Sequence, residues 1–74
     1  MKKLIVDIVK AIVDNPNSVK VEEVENDGIV DITISVDDSD KGKVIGKNGK
    51  IINSVRTIAK ACAIKENVKV NVRI

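Results

Sequence analysis

The sequence predicts an α+β domain of order α-β-β-α-α-β, with a three-stranded mixed sheet and three helices on one of its faces. Three observations carry this. Apolar residues recur at three- and four-residue spacing near the start of the chain. They alternate with polar ones from Val30 to the end of the run 29–37 and again over 67–74. A helical stretch interrupted by glycines lies between those two runs. With 74 residues, 1–74 is read as one domain.

Residues 2–14 are predicted helical. Leu4, Ile5, Ile8, Val9 and Ile12 share a face, with Lys3, Asp7, Lys10 and Asp14 mostly opposite and Val6 and Val13 widening the apolar side. Asn15-Pro16 stops the helix, because proline lacks an N–H and restricts the residue before it. Residues 18–26 read as a strand in which Val19 and Val21 alternate with Lys20 and Glu22. Glu23-Val24-Glu25 then shifts the alternation by one, which implies a bulge or an early exit from the core. Asn26-Asp27-Gly28 reads as a hairpin turn, since Asp-Gly readily takes the positive φ values of tight turns. In the strand 29–37, Val30, Ile32, Ile34 and Val36 point one way and Asp31, Thr33, Ser35 and Asp37 the other.

One of Asp38, Ser39 and Asp40 is expected to cap a short helix over about 41–46. Gly46-Lys47-Asn48-Gly49 interrupts it, and a longer helix follows over about 50–64, with Ile51, Ile52, Val55, Ile58, Ala59 and Cys62 as its apolar face. Ala61 and Ile64 lie off that face. They either join Ile58 or Ala63 in a small dimer patch or pack under the last strand. The last strand, 67–74, alternates Val68, Val70, Val72 and Ile74 with Lys69, Asn71 and Arg73. The first two strands form an antiparallel hairpin. The two-helix crossover is long enough to return the third parallel to the second, giving sheet order 1-2-3. The sheet's other face, with Asp31, Thr33, Ser35, Lys69, Asn71 and Arg73, should be wet.

Composition narrows the chemistry. The chain has no His, Phe, Tyr or Trp and one cysteine, Cys62. That leaves no Ser-His-Asp triad, no Cys-His pair, no ordinary zinc site and no aromatic platform for stacking bases. A single cysteine forms no internal bridge, which fits a reducing compartment, and Cys62 reads as a small core residue. The longest run free of Asp, Glu, Lys and Arg is five residues, for example 32–36, too short for a membrane span or the apolar core of a signal peptide. A cytoplasmic protein with no membrane partner is expected. The formal net charge of +2 is uneven: residues 1–40 hold four lysines and ten acids, and residues 41–74 hold nine basic residues and one acid, Glu66. A split of −6 against +8 suggests a face for a polyanion, although a merely solvated surface would read the same way.

The candidate site is Gly42-Lys43-Val44-Ile45-Gly46-Lys47-Asn48-Gly49-Lys50-Ile51-Ile52. Glycine lets a backbone approach closely, the loop precedes a helix N-terminus that favours anions, and the lysines add charge without dictating sequence. Together these describe a clamp for a sugar-phosphate backbone. Two other readings fail. Asp37, Asp38 and Asp40 ahead of Gly42 suggest a calcium loop, but Lys41 and Asn48 occupy ligand positions. Gly46-Lys47 lacks the spacing and following hydroxyl of a nucleotide-binding P-loop. No cofactor, metal or catalytic residue is expected. A lone pair of glycines three apart would also serve as a plain tight turn.

Val44, Ile45, Gly46, Gly49 and Ile52 match the KH-domain signature V-I-G-x-x-G-x-x-I, and the loop lies between two helices that are followed by a strand, as that family requires. An extra helix and strand ahead of this core is similar to the type II KH arrangement. The length, the first helix, the Asn-Pro turn, Gly-Lys-Val-Ile-Gly-Lys and Arg56-Thr57 together resemble the small single-KH proteins of bacteria, the KhpA family. The resemblance implies an RNA-binding protein in which the GXXG loop clamps about four nucleotides of single-stranded RNA. It implies a groove with Val44, Ile45 and the start of the long helix as one wall and the edge of the 29–37 strand as the other, where bases rest on aliphatic side chains. The implied contact residues are Gly42, Lys43, Val44, Ile45, Gly46, Lys47, Asn48, Gly49, Lys50, Ile52 and Arg56. Arg56 either reaches RNA or pairs locally with an acid. The resemblance further implies a homodimer or a complex with a larger KhpB/Jag-type KH protein, and a role as RNA chaperone or post-transcriptional regulator. The alternative is an interaction subunit whose main task is pairing with a second KH protein.

Overall fold

Helix α1 spans Lys2–Ile12 and buries Ile5 and Val9 completely. The computed structural model describes all 74 residues. The helix ends two residues before the predicted stop, and Val13 is already extended. The cause lies far along the chain: the backbone N–H groups of Asp14 and Asn15 donate to the Asp40 carboxylate, at 3.2 and 3.0 Å, and do not continue the helix. Pro16–Ser18 then forms one 3-10 turn.

Strand β1 (Lys20–Asn26) pairs antiparallel with β2 (Ile29–Ser35) in unbroken register, from Lys20 opposite Ser35 to Asn26 opposite Ile29. No bulge interrupts the ladder. The shift at Glu23-Val24-Glu25 is the early exit: only Val21 of β1 is buried, and Val24 sits 53% exposed on the open face opposite Asp31. The connecting turn places Asp27 at φ 50° and Gly28 at φ 77°. Two consecutive positive φ values define the tight turn that matches strand twist.

Strand β2 is the central strand. Val30, Ile32 and Ile34 face inward and are buried, and β3 (Lys69–Arg73) joins the other side of β2 in parallel, with Val30 opposite Val70 and Ile32 opposite Val72. The order β1-β2-β3 is as predicted. The open face is solvated, also as predicted. There Asp31 accepts from Asn71 Nδ2 at 3.1 Å and from Arg73 Nη2 at 3.5 Å.

The crossover contains α2 (Lys41–Ile45) and α3 (Lys50–Glu66). On α3 the buried residues are Ile52, Val55, Ala59 and Ala63. Ile51 and Ile58, assigned to the apolar face by spacing, are 37% and 39% exposed, and Cys62 is half-buried. The buried line is rotated because small Ala59 and Ala63 let the helix lie close on the sheet. Ala63 therefore packs inside, and Ile64 is 80% exposed. Asn67, at φ 58°, ends the helix by donating its N–H to Ala63 and Ile64 carbonyls. Helices α1, α2 and α3 all pack on the inward face of the sheet, where Ile5, Val9, Val44, Ile52 and Val55 meet Ile32 and Ile34 in one cluster. No helix is long and apolar enough to cross a membrane.

Candidate nucleic-acid interface

The approach to the loop is fixed by aspartates. Asp40 holds the N-cap position of α2, as expected, but makes no side-chain capping bond there; Asp37 caps the 3-10 turn Asp38–Asp40 that precedes it, its carboxylate accepting from Ser39 N at 3.0 Å and Ser39 Oγ at 2.7 Å. Those bonds hold the Asp37 carboxyl below its ordinary pKa. Asp40 turns inward and is 1% exposed. Burial alone would push its pKa up, but hydrogen bonds from the Asp14 N–H and from the side chain and N–H of Asn15, with Lys43 nearby, outweigh it and hold the carboxyl low. Lys43 bonds to Asp14 and lies 3.9 Å from Asp40, and the Asp14 bond raises its pKa. This clasp ties the end of α1 to the start of α2.

Three of the next four residues need positive φ. Gly46 has φ 76° and ψ 174°, Asn48 φ 57° and Gly49 φ 75°. A Cβ on Gly46 would stand 2.6 Å from Ile51 Cγ1 and 2.9 Å from the Ile51 backbone nitrogen, so no side chain fits. Asparagine is among the few non-glycine residues that tolerate the left-handed region, which suits it to position 48. The loop pushes Lys47 and Asn48 outward, both exposed, immediately before α3. No side chain caps the start of α3, so its first N–H groups and its positive dipole end face the same side as Lys47 and Lys50. Neither lysine has an acidic partner.

The second wall differs from the expected one. Strand 29–35 is hydrogen-bonded on both sides and has no free edge. The free edge beside α3 belongs to β3. Arg56 bridges the two: its Nε donates to the Val72 carbonyl at 3.1 Å and its Nη1 to Asn53 Oδ1 at 3.0 Å. Its local partner is thus a carbonyl and an amide, not an acid. Arg56, Lys60, Val70, Asn71 and Val72 line an open depression along this edge. Asn53, Arg56 and Lys60, spaced three and four apart, extend the loop's polar side down α3. Asn53, Lys60 and the β3 edge went unnoticed in the sequence. Their helical spacing is readable in the sequence, and the order 1-2-3 leaves β3 as the free edge beside them.

A family comparison decides the lineage. The model of the KhpA/KhpB KH domain matches residues 2–74. The chain belongs to the KhpA/KhpB KH-domain family. Among its relatives, the RNA-binding protein KhpA of Clostridium perfringens is 47% identical over 74 residues, covering all of this chain and 99% of that protein. KhpA of Clostridium acetobutylicum is 45% identical over the same shares, and KhpA of Chlamydia trachomatis 38%, covering 95% of its own length. No solved structure gives a significant match.

The KH signature residues divide by placement. Val44 and Ile52 are buried, at 0% and 4% exposure, and hold the two ends of the loop in the core. Ile45 is 37% exposed beside the loop. Gly46, Lys47, Asn48, Gly49 and Lys50 form the loop and its exit. Arg56 lies further along α3. Lys43 is committed to Asp14. Gly42 is exposed in α2, and a Cβ there would meet nothing within 4 Å, so nothing in the structure calls for glycine at this position.

Proposed function

We propose that this chain is a non-enzymatic KH module that binds single-stranded RNA, clamping the sugar-phosphate backbone at Gly46–Gly49 and seating bases along the α3–β3 edge. The observation that carries this reading is the loop itself. Gly46 has no room for a Cβ, two further residues are left-handed, and the result is a bare backbone flanked by unpaired Lys47 and Lys50 at an uncapped helix start. A phosphate can approach such a backbone closely, and a GXXG loop of this kind clamps about four nucleotides. The relatives' name, RNA-binding protein KhpA, supports the same ligand. The work fits the cytoplasm, as an RNA chaperone or post-transcriptional regulator. Fluorescence anisotropy with a labelled single-stranded RNA tests it. Changing Lys47 and Asn48 together to Asp should remove binding while the far-UV spectrum and melt stay as in the parent, since Asp also tolerates the left-handed position. Unchanged binding would refute the assignment.

A specific observation favours pairing alongside RNA binding. Arg56 faces β3, so the opposite flank of α3 carries Ile51 and Ile58, which with Ile45 on α2 are each 37–39% exposed. Exposed isoleucines on neighbouring elements suit a protein contact. This flank is the proposed surface for a second copy or a KhpB/Jag-type KH partner. Sedimentation of Ile58→Asp against the parent checks it: the parent should self-associate or bind the partner and the variant should not.

A further inference from the structure

The depression beside Arg56 does not end at Lys60. It adjoins a second one that shares Lys60, Val70 and Asn71 and runs on to Ile64 and Val68. That one in turn adjoins a third, which shares Ile64, Val68 and Lys69 and reaches Ile29 and Asp27 at the hairpin. A continuous cleft therefore follows the α3–β3 edge from Arg56 to the far end of the domain. From Gly49 to Ile64 is about 22 Å at the helical rise per residue.

The character of the cleft changes along its length. At the far end the floor is aliphatic: Ile64 is 80% exposed, Ile29 is 41% exposed and Val68 is half-buried. The rim is cationic. Lys60 and Lys69 line it, both exposed and neither with an acidic partner. The one acid at the site is Asp27, on the hairpin side, and Asn67 is the polar group at the end of α3. An apolar shelf flanked by two uncommitted lysines is complementary to a base with its phosphates. A protein docking through an aliphatic face has no use for two unpaired charges there.

We infer that the Ile64–Val68 shelf is an additional nucleobase subsite, outside the backbone clamp, taken by a nucleotide of the same RNA strand that continues past the clamped segment. This inference rests on the RNA-binding reading above. The apolar face of the base lies on Ile64 and Val68, and the adjoining phosphates are neutralised by Lys60 and Lys69. The chain then reads more RNA than its loop holds, and affinity grows with RNA length.

The test compares two RNA lengths, four and eight nucleotides, by NMR titration of the full chain and of Ile64→Ser. Ile64 is so exposed that Ser leaves the fold intact, and the change adds no charge. The expected result is that Ile64→Ser binds the four-nucleotide RNA as the parent does and the eight-nucleotide RNA about fivefold more weakly, an aliphatic seat matching the lower end of what a base stacked on an aromatic ring contributes. Amides of Asn67 and Val68 should shift with the longer RNA and not with the shorter. Comparing parent and variant at each length cancels the extra registers that a longer RNA offers. Equal affinity of parent and variant at both lengths, or an equal loss at both, overturns the subsite. Loss of self-association in Ile64→Ser with unchanged RNA binding also overturns it and marks a protein contact. A parent chain that binds neither RNA refutes the RNA-binding reading itself, which is a separate outcome.

Discussion

Asp40 and Asn15 are 25 residues apart, yet the buried Asp40 carboxylate accepts both the backbone N–H and the side-chain amide of Asn15, each at 3.0 Å. Together with the Asp14 N–H and Lys43, this one carboxylate ends α1 and sets the start of α2. The loop that follows inherits its position from that clasp.

Stability should fall in acid for this reason. The folded pKa of Asp40 lies below its unfolded value, so its contribution is fully present above the ordinary aspartate value of about 3.9. It is lost as the pH falls through the folded pKa. Asp37, lowered by Ser39, acts in the same direction. Melting temperatures should stay level from pH 7 to about pH 4 and drop below that. Asp40→Asn should melt lower at pH 7, because an amide NH₂ placed among the donors of Asp14 and Asn15 faces them donor to donor. It should also show a shallower acid decline. Thermal melts across pH check both.

The two flanking glycines should behave in opposite ways. Gly46→Ala puts a Cβ against Ile51 at a φ that side chains rarely adopt, a strain of about 1–3 kcal/mol. It should lower stability and RNA affinity together. Gly42→Ala adds a methyl in open space within a helix. It should stabilise by about 0.5–1 kcal/mol and leave binding unchanged. Chemical denaturation and an RNA titration of each variant decide.

The salt dependence of binding counts the lysines. Lys47, Lys50 and Lys60 are unpaired, and Arg56 is held by Val72 and Asn53. Three to four phosphate contacts give a log–log slope of about −2 to −3 on single-stranded RNA. Lys60→Ala should make the slope shallower by about 0.7. Lys43→Ala should leave it nearly unchanged, since Lys43 already serves Asp14.

Much of this was legible in the sequence where local chemistry decides. The alternation of Val30, Ile32 and Ile34 and the Asp27-Gly28 turn set the hairpin, and Gly46-Lys47-Asn48-Gly49 marked the loop between α2 and α3. Long-range partners were not legible. Nothing near Asp14 announces that Asp40 takes its N–H. Isoleucines on two sides of α3 left its buried face open until Ala59 and Ala63 showed which side lies against the sheet. The edge strand, by contrast, was legible: the predicted order 1-2-3 already makes β2 central and leaves β3 the free edge on that side.

The most direct test of the central claim is a ¹H–¹⁵N map of the chain titrated with single-stranded RNA. The account predicts shifts at Gly46, Lys47, Asn48 and Gly49 and along Asn53, Arg56, Val70 and Val72, with β1 from Glu22 to Glu25 unmoved. Shifts centred on β1 or on the open face around Asp31 and Thr33, with a silent loop, would contradict it.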